Sequence, residues 1–289
     1  MCGQAVTLCK RVANNKSKLR KYLDPNGRPT LSNLVSEFGG PTDESWYKFG
    51  SEVYLWGNCQ SYDSVWKNNG IKMDYSAARR NMVENQVRTN RVVNPAIISA
   101  LEELPRENFV PEAISEIAYV DEALPLADGR YLLEPMVLAL LLQHAEIDPG
   151  DIVMEIAPGT GYSTAVLSKL ASTVVAVEDD KELAETASTN LISLGIDNVA
   201  VMTGPLIDGY KKQAPYNVII ISGCVEEVPE KLFSQMAEGG KLLAVVGTRG
   251  VSGKGTVVRK FGKSISSSEV FEAGTPILPG FGRPAEFNL

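Results

Sequence analysis

The chain has 289 residues, 44% of them hydrophobic and 22% charged, with a formal net charge of −7, enough apolar material for one large domain or two small ones. No run approaches the roughly 18–20 continuous apolar residues of a membrane span, and the N-terminus lacks the apolar stretch of a secretory signal, so a soluble cytoplasmic protein is expected. Four cysteines without CxxC spacing (Cys2, Cys9, Cys59, Cys224) and a single histidine, His144, argue against a zinc cluster or a Cys/His nucleophile pair, and no metal is expected.

Charge divides the chain. Residues 1–72 hold 10 Lys+Arg against 6 Asp+Glu, or +4, which leaves 18 against 29, or −11, for the remainder. Trp46, Trp56 and Trp66 all fall in the first part, where apolar periodicity is poor. It is expected to be an N-terminal extension whose order the pattern does not fix, ahead of a folded unit over 73–289. The first 23 residues carry no acid and six basic side chains between Lys10 and Lys21. A solvated basic tail explains them better than a transit peptide, which would be richer in Arg and Ser. No nucleic-acid or membrane partner is expected.

A helical preface is expected over 73–150. Residues 75–91 favour a helix, and Asn94-Pro95 starts a second that carries Ile97, Ile98, Leu101 and Leu104 at helical spacing. Pro105, Pro111 and Pro125 then punctuate a connection that holds Tyr119 and Asp121, the kind of loop that forms a substrate edge. His144 lies in the apolar run LALLLQHAEI and reads as a packed helix residue rather than a base.

From Asp151 the pattern alternates: strand 151–157, helix from Ser163, strand 173–177, helix 181–194, strand 199–203, strand 217–222, helix 229–237 and strand 241–247. That is the signature of a doubly wound α/β core over 151–250 with a mostly parallel sheet and helices on both faces. Leu183, Ala187, Leu191 and Leu194 share one helix face, and Gly195 stands where a C-terminal cap belongs. Short β-rich segments after Gly250 predict an antiparallel C-terminal ribbon over 251–289.

The first strand runs into the turn Ala157-Pro158-Gly159-Thr160-Gly161-Tyr162. Glycines there let backbone N–H groups approach a ligand that a Cβ would obstruct. Glu178 ends the next strand, 23 positions after Glu155, placed to accept hydrogen bonds from ribose hydroxyls. A nucleotide-like cofactor follows. A nicotinamide site has the same outline, but an acid two positions before the turn disfavours it.

Beyond the turn MEIAPGTGY (154–162) and VEDD (177–180), the segments MVENQVR (82–88), PRENFVP (105–111), AYVDEALPL (118–126) and VPEKLFSQMAEGGKLLAVVG (228–247) occur in order. Together they resemble the protein-L-isoaspartate O-methyltransferases over about residues 73–289. The resemblance implies a seven-stranded methyltransferase sheet with a reversed last hairpin, the cofactor S-adenosyl-L-methionine, and methyl transfer to isoaspartyl carboxylates of damaged protein or peptide. It implies that Glu155 and the Ala157–Gly161 turn, with Pro158, Thr160 and Tyr162, hold the methionine part. Glu178 takes the ribose hydroxyls, Asp179 lies near the adenine, and Tyr119 and Asp121 form the substrate rim.

The departures fall on the acceptor side and beside the adenine. The family serine at the substrate carboxylate is replaced by Leu133 in Arg130-Tyr131-Leu132-Leu133-Glu134-Pro135, and leucine has no donor or acceptor. Glu134 places a second carboxylate near the acceptor, with Arg130 as a candidate cation between them, a solvated loop residue being the alternative. The family's Gly-Asp-Gly is Gly204-Pro205-Leu206, and Pro205 has lost a carboxylate and an N–H. Ala157 replaces the first turn glycine, which ordinary backbone angles would tolerate. Two alternatives remain open: a related methyltransferase with another acceptor, and a catalytically weakened protein that binds the cofactor.

Overall fold

The structure, a computed structural model, describes residues 73–127, 129–248 and 251–282. The expectations for residues 1–72 lie outside the described residues.

Helix α1 (Tyr75–Met82) starts where the Asp74 side chain accepts the Ala77 N–H. It continues as a π turn over Val83–Val87 and a 3-10 turn over Arg88–Asn90, and stops at Arg91, which is left-handed at φ 63°. The stretch expected as one helix is thus three windings, with Met82, Val83 and Val87 buried. Helix α2 (Pro95–Glu103) begins with Pro at its first position and the Asn94 side chain accepting two backbone N–H groups, as its sequence predicts. After 3-10 turns at Arg106–Phe109 and Glu112–Ile117 comes a small antiparallel hairpin, β1 (Leu124–Ala127) and β2 (Arg130–Leu132). Helix α3 (Pro135–Ala145) is buried on most of its surface, and its His144 stacks on Phe271 with ring centroids 6.1 Å apart.

Strands β3 (Ile152–Ile156), β4 (Thr173–Glu178), β5 (Val199–Thr203), β6 (Tyr216–Val225) and β7 (Met236–Val246) pair in parallel. Strands β8 (Gly253–Phe261) and β9 (Ser264–Ala273) complete an antiparallel meander. The seven-stranded order is β5-β4-β3-β6-β7-β8-β9. The central strands are apolar at nearly every position because both faces are covered. Val153, Val218 and Ile220 face one core with the helical preface, whereas Met154, Ile156, Ile219 and Ile221 face the other.

Helix α4 (Tyr162–Ser168) follows β3, and helix α5 (Lys181–Ser193) follows β4. Asp180 caps α5 by accepting from Glu182 and Leu183. At its end the Gly195 N–H reaches Ile192 O and the Ile196 N–H reaches Leu191 O, with Gly195 at φ 69°, a Schellman cap.

Two segments differ from expectation. The helix expected over 229–237 is a single turn, α6 (Glu230–Phe233), because Met236 pairs with Tyr216 and already belongs to β7. Gly239-Gly240 therefore lies in an irregular stretch inside the strand, where a Cβ on Gly240 would meet Ala237 O at 2.9 Å. Beyond β9 the chain returns as a strap across the end of β6. Leu278 N–H donates to Cys224 O at 2.8 Å and Cys224 N–H to Pro276 O at 3.2 Å.

Candidate active site

Strand order reverses between β3 and β6, and the loops leaving the carboxyl ends of β3, β4 and β6 meet at that switch point, the usual ligand crevice of an open α/β sheet. The turn after β3 is left-handed at three places: Ala157 at φ 62°, Gly159 at 58° and Gly161 at 93°. The condition under which Ala157 would be tolerated, ordinary backbone angles, is therefore not met, and a Cβ in this region costs about 1–2 kcal/mol. Gly161 is also tightly packed, since an added Cβ would sit 3.2 Å from that of Ala187 on α5. A Cβ on Gly159 would lie 2.7 Å from Leu126 Cδ1, so β1 rests directly on the turn.

Glu178 at the end of β4 is fully buried and receives four hydrogen bonds. Arg130 Nη1 donates to its Oε1 at 2.5 Å and Nη2 to its Oε2 at 2.7 Å. The Gly159 N–H donates at 2.9 Å and the Asp180 N–H at 3.1 Å. Burial pushes the Glu178 pKa upward, and the Arg130 fork and the Asp180 N–H pull against that rise. Arg130 also reaches Asp179 at 3.0 Å. It therefore sits on Glu178 and Asp179, the acids expected to meet the cofactor, and is buried at 5% exposure, so the reading of it as a cation beside Glu134 or a solvated loop residue is corrected.

Glu155 lies one layer below, fully buried on β3. Its carboxylate accepts from Ser163, from Thr164 at 2.5 Å and from Ser222 at 2.5 Å. Burial raises its pKa, and the three hydroxyls oppose the rise. Glu155 thus ties β3, α4 and β6 together beneath the turn. Thr160 hydrogen-bonds Phe109 O at 2.5 Å, and Tyr162 packs edge-on against Phe109 and under the Arg106 guanidinium. Both side chains join the turn to the helical preface. The Gly204 N–H donates to Glu178 O at 2.9 Å, and Pro205 is exposed where it opens a short 3-10 turn.

Among the residues expected on the acceptor side, Leu133 is buried in the core and its carbonyl accepts from Arg106 Nη2 at 2.6 Å. Glu134 is 8% exposed and accepts from Thr275 at 3.0 Å, and burial raises its pKa. The Asp121 carboxylate accepts the Met136 N–H at 3.3 Å near the start of α3, and Tyr131 is exposed on the hairpin. Tyr119 stands apart: its hydroxyl donates to Glu107 and accepts from Arg79 at 2.9 Å, inside the helical preface.

Sequence reasoning missed the Glu155 hydroxyl partners, the buried Arg106, and Thr275 on Glu134. Ser222 was legible in principle as the polar end of the apolar run NVIIIS. Thr275 carries no local signal, since it lies 141 positions from its partner.

A family model described as protein-L-isoaspartate(D-aspartate) O-methyltransferase matches residues 77–272. The chain belongs to the protein-L-isoaspartate O-methyltransferase family. A protein-L-isoaspartate O-methyltransferase of Methanoculleus marisnigri is 35% identical over 210 residues, covering 73% of this chain and 96% of that relative. One of Protochlamydia amoebophila is 39% identical over 166 residues, 57% of this chain and 79% of the relative. A solved protein-L-isoaspartate O-methyltransferase superposes with a TM-score of 0.62 at 28% identity over 71% of this chain and 67% of its own. A Plasmodium falciparum structure, titled a putative member in complex with S-adenosyl-L-homocysteine, shares the fold with a TM-score of 0.58 at 18% identity, over 72% of this chain and 99% of its own.

Protein-L-isoaspartate O-methyltransferases are S-adenosylmethionine-dependent carboxyl O-methyltransferases, and family membership makes this chain one of that enzyme class. The residues present fit that cofactor. The turn is left-handed where backbone must approach a ligand, and the Glu178 carboxylate already accepts a two-pronged donor of the kind a vicinal diol presents.

Proposed function

We propose that the chain transfers a methyl group from S-adenosylmethionine to the free α-carboxylate of isoaspartyl residues in protein or peptide, with residues 73–289 as the methyltransferase unit. The family match over residues 77–272 carries this reading. In it, the Ala157–Gly161 turn carries the methionine end, Glu178 takes the ribose hydroxyls, and Asp179 with Gly204 and Pro205 borders the adenine. Asp121, Tyr131 and Glu134 line the acceptor entrance.

When bound, S-adenosylmethionine supplies an electrophilic methyl on a sulfonium sulfur. The acceptor is already an anion, so the protein need not remove a proton from it; positioning supplies most of the help, about 7–11 kcal/mol in favourable cases. Glu155 holds the turn in register through its three hydroxyl partners, and Leu126 of the hairpin lies against Gly159 of the turn. Burial raises the Glu134 pKa, against the lowering effect of its hydrogen bond from Thr275.

A second reading, a related methyltransferase with another acceptor, is favoured by one observation: Leu133 stands at the family serine position and is packed into the core. Transfer of labelled methyl to an isoaspartyl peptide beside its aspartyl twin separates the two. Label on the isoaspartyl peptide alone supports the first reading; no label on either, with the cofactor bound, rejects it. No helix among the described residues is long and apolar enough to cross a membrane. A cytoplasmic site of action belongs to the same proposal and is tested by cell fractionation.

A further inference from the structure

The Arg130 guanidinium is one of the few charged groups in the described residues that is almost fully buried, at 5% exposure. It reaches the one carboxylate that the cofactor reading reserves for a ligand. Both Glu178 oxygens receive an Arg130 N–H, at 2.5 and 2.7 Å. The same hairpin lays Leu126 on Gly159, with Leu126 Cδ1 2.7 Å from where a Cβ on that glycine would stand. Two side chains of one small element thus occupy the two surfaces, the turn and the acid, that the cofactor reading assigns to its methionine and ribose parts. A structural ion pair between a hairpin and a sheet would have no reason to coincide with both.

We propose that Arg130 is a built-in competitor for the ribose subsite: it gives Glu178 the two donated hydrogen bonds that a vicinal diol would give, and a ligand's ribose binds by taking its place. The inference rests on the reading of Glu178 as the ribose acid. The guanidinium fork and a vicinal diol both offer two donors to one carboxylate, but only the fork is charged. Exchange therefore favours the closed hairpin, and ligand affinity is set by the difference between the two pairings rather than by the ribose contact alone. Asp179, which also holds Arg130 at 3.0 Å, adds to the resistance. The hairpin turn is braced from the other side by the strap, since a Cβ on Gly129 would meet Pro279 Cγ at 2.8 Å. Opening thus involves the hairpin and the strap together, and a ligand without a diol has nothing to offer Glu178 in exchange.

The test is calorimetric, with the full chain as wild type, Arg130→Gln and Arg130→Ala, titrated with S-adenosylhomocysteine and with its 2′,3′-dideoxy form. Arg130→Gln keeps one donor for Glu178 and guards against loss of folding in Arg130→Ala; thermal melts establish that each titrated variant is folded. Both variants are expected to bind S-adenosylhomocysteine at least about tenfold more tightly than wild type, the effect of releasing one charge-assisted hydrogen bond. The dideoxy form is expected to gain no more than a small fraction of that. Unchanged or weaker binding of S-adenosylhomocysteine by a folded variant overturns the proposal and leaves the cofactor reading standing. Equal tightening of both ligands also overturns it, because a generally loosened hairpin explains that without competition for the ribose subsite. If neither wild type nor variants bind either ligand, the cofactor reading fails and this inference with it.

Discussion

At Ala157 the backbone is left-handed at φ 62°, a conformation that costs an L-residue about 1–2 kcal/mol, whereas glycine adopts it freely and loses about 0.5–1 kcal/mol in chain entropy instead. Ala157→Gly is therefore expected to raise stability by about 0.5–1 kcal/mol in urea unfolding, and a loss of stability would contradict the strain argument. For Glu134 the sign runs the other way from a paired surface acid. Burial raises its folded pKa above the ordinary 4.5. As pH rises through the interval above 4.5, the folded state keeps a proton that the unfolded state has lost, and stability falls. Glu134→Gln lacks that slope, so it should gain on wild type from pH 4.5 upward. Glu155 is shifted in the same direction but is present in both proteins and cancels. A Glu134→Gln protein that loses ground with rising pH would refute the assignment. Leu133→Ser carries two opposing effects. Emptying a core position costs about 2–4 kcal/mol of stability, while the new hydroxyl should raise methyl transfer to an isoaspartyl peptide roughly tenfold, the worth of one hydrogen bond to a charged group. An unchanged or lower rate in the folded variant would show that this position does not meet the acceptor.

Elements of the core were legible because their signals are local. Period-3.6 apolar spacing marks α5, short runs rich in Val and Ile mark β3, β4 and β6, and Asn94-Pro95 and Gly195 mark ends by their own backbone chemistry. The β1–β2 hairpin and the strap were not legible as covers of the site. Their anchoring contacts join residues far apart in sequence: Leu126 with Gly159, Gly129 with Pro279, Gly223 with Leu278. Nothing in the neighbourhood of any one of them names its partner. Gly223 is the clearest case, since a Cβ there would come within 2.3 Å of Leu278 Cγ, and glycine at that point permits the strap to lie on β6. Leu278 is 4% exposed, so Leu278→Ala is expected to cost about 2–4 kcal/mol. Hydrogen exchange should accelerate first at the Leu278 and Cys224 amides, with β3 and β4 still protected. A variant within 0.5 kcal/mol of wild type, as at an ordinary surface position, would mean that the strap is not held down as described.

For the whole molecule, the cofactor half of the site was more legible than the acceptor half, and the reason is physical. A glycine turn and an acid at a strand end are fixed by the sheet itself, so their positions in sequence translate directly into positions in space. The residues proposed for the acceptor side come from the proline-punctuated connection and the hairpin, and sequence did not show where Tyr119, Arg130 and Glu134 point. Tyr119 turned inward to Arg79 and Glu107, and Arg130 turned to Glu178. If residues 73–289 are a self-sufficient unit, as proposed, a protein truncated before Met73 should bind S-adenosylhomocysteine within about twofold of the full chain; loss of binding would show that the first 72 residues contribute to the site. The most direct measurement on the cofactor site is calorimetric titration of the full chain with S-adenosylhomocysteine and, separately, with NAD. One-to-one binding of S-adenosylhomocysteine with no heat from NAD is the predicted result, and binding of NAD with none of S-adenosylhomocysteine would contradict it.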